Sequence, residues 1–580
     1  MPAIKKINNK NPNVEAKVNY FIDRFIHCVA YLGSEWDLDL ENQLSLIDKV
    51  SFYIENNEFR VDYYENYFSH ELFSNEDIWK EYPAFARLKP FLLELRGAKP
   101  RAFKESVIRD NSFHEAVLQL SKELRAGMPE ILFKSLMSII NCSYTLNEHN
   151  HINKLNLLAK LIVSEGFFSG KKRIEISELI NRIFNKDLKR FPVPIEVKRK
   201  DEKKYVNSNN LVNQLSGFKT IMQDKKESSS VLMKIYGGHN FPDNFYFHYC
   251  GIRFYGKMHP RVLKLHSTTE NHRCQDFFSK ENYLLVLAKI DYFSAESIVS
   301  RMSEATKEQI DYISTSLARS LNLDDTPNYI LLDYKWKIKG FSISSQKHSS
   351  FYEFNQLKAL NNNPFSILKA VKASPAKDKL LSCENLYVQA HKNEKVALYW
   401  QYLEALLPLD KNGKKQIRYL LPNLLLLTEK EIIDHRILST LLNSINFING
   451  GIELLGIEIG DLPKVRNELV KGRIPKEVRR VDYAFLQELV KQYDLSLDKA
   501  YFENAQRFYL QILKETYGNR NFDVHAGIQS EKSNMKIKRC VPRMISRLRW
   551  VIFDEIKAYP NADFDTVIQN LIIRSNKLLS

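Results

Sequence analysis

The period of the apolar residues changes twice along this chain, and that change bounds what it can fold into. From residue 14 to about 165, segments such as VNYFIDRFIHCVAYLG and HINKLNLLAKLIVSEGFF carry apolar side chains at i, i+3, i+4 and i+7, the stripe of a core-facing helix. From about 231 to 345 the text turns short, aromatic and β-branched. SVLMKIYGG, DNFYFHYCGIRFYG, RVLKLH, NYLLVLAKID and NYILLDYKWKIKGFSIS are bounded by Gly, Pro and Asp and read as strands. After about 385 the helical spacing returns, in EKVALYWQYLEALLPL, KAYFENAQRFYLQILKETYG and RMISRLRWVIFDEIKAY. The fold class that follows is α-rich and multidomain, α plus α+β, with a mainly antiparallel central sheet. The expected domains are a helical one over 1–170, a basic linker with short helices over 171–230, an α+β accessory or sensor domain over 231–385, and a helical bundle over 386–580.

Composition narrows the function. With 44% apolar and 27% charged residues, the chain has the balance of a folded globular protein rather than a disordered one. A net charge of +16 favours a polyanionic partner, with RNA or DNA first. The opening MPAIKKINNKNPN has no apolar core of a secretory signal. The best membrane candidate, LLPNLLLLT over 420–428, is interrupted by Pro422 and Asn423, well short of the ~20 apolar residues that span a bilayer. Six cysteines in 580 residues make no disulfide framework, so a cytoplasmic location without membrane attachment is expected. The basic run VKRKDEKK over 197–204 is broken by acids and reads as a solvated loop.

The stretch ETYGNRNFDVHAG, residues 515–527, carries the chemistry. Gly518 or Asn519 is expected to end a helix that begins near Ala500, since both favour C-caps. That places Arg520 at or just past a helix end and His525 in a long, basic connection to a helix starting at Pro542. From Lys532 to Arg549 there are seven Lys or Arg and no acid. Cutting RNA by attack of its own 2′-hydroxyl needs a proton carrier and a positive charge at the phosphorane. Histidine titrates near neutrality and serves the first need. Arginine stays charged, offers a planar fork to phosphate oxygens, and serves the second. Neither step requires a metal or cofactor, and Asn521 is placed to orient the arginine or the phosphate. Read on their own, the same residues also suit an ordinary helix end, with Arg520 on the C-terminal dipole and His525 hydrogen-bonded in a turn.

Arg520, Asn521, three residues and His525, at a helix end in a helical domain, resemble the signature of the HEPN superfamily of ribonucleases. An aromatic ahead of the arginine (Tyr517) and a small residue after the histidine (Ala526) agree with it. VALYWQYLEALLP over 396–408, with Glu404, is similar to the first long helix of such domains, and RMISRLRWVIFDEI to the closing one. Upstream, LAKLIVSEGFFSGKKRIEISELINRIF and LAKIDYFSAESIVSRM look like accessory regions of large ApeA-like members. The resemblance covers about 390–565 well and the rest loosely. It implies a C-terminal HEPN bundle acting as a metal-independent endoribonuclease, with Arg520 and His525 as the catalytic pair and Asn521, Glu404 and Tyr517 in support. Lys536, Lys538, Arg539, Arg543, Arg547 and Arg549 would bind RNA. A single intact motif implies a homodimer or higher homo-oligomer, so that two motifs face one composite site. The setting it implies is abortive-infection antiphage defence, with tRNA or another RNA as substrate and a phage-derived trigger. Gly527 stands where the subgroup silenced by adenylylation has a tyrosine, so that kind of partner is not expected. The alternative of a different class is a non-catalytic HEPN interaction module or nucleic-acid-binding scaffold.

Two other clusters compete for attention. His239, His248, His259, His266 and His272, with Cys250 and Cys274, include two His-x-Cys pairs. On a strand, His248 and Cys250 would share a face and reach one zinc ion, yet the spacing matches no standard zinc site. NEHNHIN over 147–153 offers His149 and His151 with no third ligand, and reads as a solvated loop.

Overall fold

The computed structural model describes residues 11–31, 43–55, 82–184, 211–222, 226–237, 242–269, 271–278, 283–316, 321–324, 328–343, 396–407, 416–438, 471–481, 484–496, 498–525 and 531–579, with a few positions between them. The chain divides into two compact units. Unit 1 comprises Met1–Phe168, Ile183–Met222 and Leu360–Ser580, and unit 2 comprises Ser169–Arg182 and Gln223–Ala359. Helices dominate the first part of the chain: α1 (Pro12–Tyr31), α2 (Gln43–Glu55), α3 (Pro83–Arg96), α4 (Arg101–Ile108), α5 (Asn111–Asn141), α6 (His151–Phe168), α7 (Arg173–Phe184) and α8 (Leu211–Met222). Asp110 caps α5 by accepting from Ser112 N, and Leu120, Leu124, Met128, Leu132, Leu136 and Ile140 then repeat every four residues on its buried face. Helix α1 packs on α6, α2 and α3 pack on α5, and α8 lies against α5 and α6. The stretch expected to be a basic linker is therefore built in at both ends. Phe218 of α8 sets its ring 5.2 Å from Phe21 and 5.1 Å from Phe25, and Glu175 of α7 is buried in unit 2. The run 197–204 lies outside the described residues apart from Asp201.

Unit 2 holds the sheet. Its strands are β1 (Glu227–Tyr236), β2 (Tyr246–Tyr249), β3 (Ile252–Gly256), β4 (Leu284–Tyr292), β5 (Asn322–Leu323), β6 (Tyr329–Leu332) and β7 (Ile338–Ser342). They run antiparallel in the order β2-β3-β4-β1-β6-β7, with β5 also on β1. Alternation sorts the side chains onto two faces. Val231, Met233 and Ile235 meet Ile298, Met302 and Ile310 of α11 (Ile298–Ser316), the long amphipathic segment. Leu232, Leu285 and Leu287 meet Val262 and Leu265 of α9 (Pro260–Ser267) and Phe277 of α10 (His272–Phe277). RVLKLH, expected as a strand, is α9: His259 caps it and Pro260 supplies its fixed first turn. The basic stretch at 171–175 joins this unit through Glu175, which accepts from Arg301 at 2.9 Å and from Phe293 N at 3.1 Å. Gly256 is a close-approach position: a Cβ there would sit 2.8 Å from Phe245 N and nearer still to the Asp243 carbonyl oxygen. Gly256→Ala is expected to lose about 1–3 kcal/mol of stability, read by urea denaturation, because backbone must move to admit the methyl group.

The chain then returns to unit 1 with α12 (Val396–Leu406), α13 (Gln416–Ile433) and a π-helical turn over Asp434–Leu438. It continues through α14 (Arg473–Val481), α15 (Ala484–Leu495), α16 (Lys499–His525), α17 (Glu531–Ala558) and α18 (Phe564–Asn576). Trp400, Leu403, Leu421, Leu425, Tyr509, Ile512, Ile545 and Ile568 share one core. LLPNLLLLT is part of it, and no described helix is long and apolar enough to cross a membrane. Helices from the expected 1–170 and 386–580 domains pack against each other within unit 1, while the core around Trp400 and Tyr509 draws its buried residues from Ala376 to Leu571. Helix α1 packs on α15 and α2 on α17, and Lys49 of α2 pairs with Glu515 of α16 at 2.7 Å, both buried. At this seam His27 is buried beside Arg24 and Arg436, and its ring lies edge-on to Phe485. Burial first, then the two guanidiniums, hold its pKa well below the ordinary 6.5. The folded chain thus refuses a proton that the unfolded chain takes up, so stability is full above pH 6.5 and falls as pH drops below it. The thermal midpoint is expected to fall between pH 7 and 5.5, and by less in His27→Gln.

Candidate active site

Helix α16 does not stop at Gly518 or Asn519. It runs on through Arg520 to His525. Glycine costs a helix about 1 kcal/mol, and the packing around this turn outweighs that. Glu515 is pinned by Lys49, Thr516 is fully buried with its Oγ1 donating to Ile512 O at 2.6 Å, and Gly518 is itself buried. Arg520 is half-buried in the last turns of the helix. Asn521 and His525 are helical in their backbone, while their side chains and residues 526–530 lie outside the described residues. Five steps along an α-helix separate two positions by about 140° around the axis and about 7.5 Å along it. Nor does the next helix wait for Pro542. Helix α17 starts at Glu531, with Pro542 in its interior beside buried Val541, so the connection is 526–530.

One turn before Arg520, at Tyr517, four aromatic and charged groups meet. Trp400 Nε1 donates to Glu404 Oε1 at 2.7 Å, and its ring lies 5.2 Å from that of Tyr517. The Arg418 guanidinium covers the other partner of this pair, 4.4 Å from the Tyr517 centroid. Its Nε is buried with no hydrogen-bond partner among the described residues. Glu404 and Tyr517, named from the sequence, are therefore brought together through Trp400. Arg418 was missed: it lies in a run of helical text with nothing in its spacing to single it out. Trp400→Phe keeps the ring and deletes the donor, and is expected to cost about 1.5–3 kcal/mol, as for a hydrogen bond to a charged group, in chemical denaturation.

The basic run is less open than its composition suggests. Lys538, Arg539, Arg543 and Arg549 are half-buried, and the side chain of Lys536 lies outside the described residues. Arg539 stacks 3.7 Å from the Phe167 centroid and Arg549 3.9 Å from that of Tyr387. Arg547, expected on RNA, turns inward. It donates to Thr428 Oγ1 and Tyr509 Oη, each at 2.8 Å, and forms an ion pair with fully buried Glu429, which also accepts from Tyr509 and Tyr501. Burial works against the charge on Arg547, but Tyr509 and Glu429 outweigh it and raise its pKa. Burial raises the Tyr509 pKa well above 10.0. Arg543 and Arg547 are four positions apart, so both share a helix face, and burial of Leu548 and Met544 carries Arg547 in.

No protein-family model, no curated protein and no solved structure matches this chain.

Among the described residues the central histidines and cysteines do not converge. Cys250 is not on a strand: with φ +47, followed by Gly251 at φ +80, it forms the two-residue turn between β2 and β3, a left-handed pair that suits a tight hairpin. His259 caps α9, Cys274 is buried on α10, and His239 lies outside the described residues. Among the described residues no three His, Cys, Asp or Glu side chains are grouped to hold a metal. His149 is exposed in a turn, as expected, but His151 differs from expectation. His151 starts α6 and is buried, not solvated.

Proposed function

We propose that the chain is a metal-independent endoribonuclease of the HEPN type, cutting tRNA or another RNA by attack of the 2′-hydroxyl. The observation that carries this reading is the joint position of Arg520 and His525 in the last turns of α16, beside the short 526–530 connection. In this reading His525 moves the proton and Arg520 holds the scissile phosphate, with Asn521 supporting it. Arg418, whose guanidinium lies over the ring of Tyr517 and whose buried Nε has no partner among the described residues, adds positive charge near this end of the helix. The angular offset of Arg520 and His525 around one helix favours a composite site from two copies in a homodimer. Lys538, Arg539, Arg543 and Arg549 keep part of their surface for RNA, while Arg547 belongs to the core. Abortive-infection defence, with unit 2 answering a phage-derived trigger, is the setting the resemblance implies. The inward turn of Arg547 and the stacking of Arg539 and Arg549 favour the second reading, a non-catalytic bundle that serves as a scaffold. Incubation with total RNA and tRNA in EDTA, with single-stranded DNA as control, separates them: cleavage of RNA alone, leaving cyclic-phosphate ends, belongs to the nuclease.

A further inference from the structure

Away from the Arg520–His525 helix end, the C-terminal end of α5 gathers a thiol, an imidazole and an ammonium. Cys142 follows the helix and is half-buried as a residue. Lys17 of α1 is fully buried, and its Nζ donates to Sγ at 3.1 Å, to Cys142 O at 2.8 Å and to Ile139 O at 3.0 Å. His151, 5% exposed, brings Nε2 to 3.7 Å from Sγ. Its Nδ1 lies 3.0 Å from Thr145 O. A carbonyl only accepts, so Nδ1 carries a hydrogen, and in the Nδ1–H tautomer Nε2 turns its lone pair toward sulfur. Two successive residues before the ring, His149 and Asn150, are held at φ +50 and +59, in the left-handed region. The arrangement is that of an activated nucleophile: a base within reach of the thiol, a third group that orients the base, and a fixed cation beside the sulfur.

We propose that Cys142 is a covalent modification site, a thiol that hydroperoxides oxidise to sulfenic acid with His151 as its base and Lys17 as its fixed cation. The S–H proton, which rests on Ile139 O at 3.0 Å, passes to His151 Nε2. Sulfur attacks one peroxide oxygen and the O–O bond breaks. The departing hydroxide takes the proton from His151 and leaves as water. Sulfur is oxidised by two electrons and the peroxide is reduced by two, giving Cys142–SOH and water from thiol and hydrogen peroxide. Because Lys17 reaches from α1 and His151 opens α6, the modified atom touches three helices that share one core. This site is independent of the ribonuclease reading.

The test uses the full chain, limiting hydrogen peroxide, a dimedone trap and peptide mass spectrometry. Cys250, exposed at the tip of the β2–β3 hairpin, is the internal reference. The initial trapping rate of Cys142 is expected to exceed that of Cys250 about tenfold or more in the native protein, since only Cys142 has a base placed to take the S–H proton as sulfur attacks. In urea the ratio falls to about one, as both thiols then sit in unfolded chain. His151→Asn and Lys17→Met are each expected to bring the native ratio down toward the urea value. A native wild-type ratio at or below one overturns the proposal without any variant. So does a His151→Asn protein that unfolds at the wild-type temperature and keeps the wild-type ratio.

Discussion

On the proposed ribonuclease reading, His525→Ala is expected to leave intact, in EDTA, the total RNA that the wild-type chain is expected to cut. Loss of a general acid–base group costs about 10²–10⁴-fold in rate, enough to take a visible ladder below detection. His525 closes α16, several turns beyond the core contacts of Tyr509, Ile512 and Leu513, so the substitution leaves the fold standing. Circular dichroism and the thermal midpoint are expected to match wild type. Arg520→Ala is expected to lose a similar factor, and Arg520→Lys to recover only part of it, because an ammonium keeps the charge and loses the bidentate fork. Equal cleavage by wild type and His525→Ala would remove the catalytic reading and leave the bundle as a scaffold. Equal toxicity of the two in cells would do the same.

Arg547→Met acts on the fold instead. It leaves the carboxylate of Glu429 without its cation in a fully buried position, and breaking one half of a buried pair costs about 3–5 kcal/mol. The urea midpoint is expected to fall accordingly. The double variant Arg547→Met, Glu429→Leu is expected to recover much of the loss, since an apolar pair of similar volume replaces two desolvated charges. Tyr509 and Tyr501 would still want an acceptor, so recovery stays incomplete. A salt-dependent loss of RNA affinity in Arg547→Met, with an unchanged urea midpoint, would instead return Arg547 to the RNA surface.

Much of the architecture was legible because period is a direct record of burial. Val231, Met233 and Ile235 against Leu232 sort onto two faces as their alternation implies, and α5 follows its spacing of four for most of its length. The misreadings came from local signals that distant contacts outweigh. Gly518 and Pro542 look like punctuation, but a turn held by Lys49 and Trp400, and a helix seated on Val541 and Ile545, continue through both. Arg547 looked like one more member of a basic stripe. Only the buried carboxylate of Glu429, 118 residues away, marks it as internal. Cys250 looked like a strand residue because a left-handed conformation leaves little trace in the sequence beyond the glycine after it. The thiol site at Cys142 was hidden for the same reason as Arg418: its partners Lys17 and His151 come from separate helices.

The Lys49–Glu515 pair has a consequence for how the protein is made. The two residues lie 466 positions apart, with all of unit 2 between them. A ribosome adds about 5–20 residues per second, so the lysine emerges roughly 20 to 90 seconds before its carboxylate. Throughout that interval the N-terminal helices lack the faces of α15 and α17 on which α1 and α2 rest. Unit 2, whose strands come from one continuous stretch, has no such wait. The core that carries Arg520 and His525 is therefore the last to close, and it closes only once the C-terminal helices have left the ribosome.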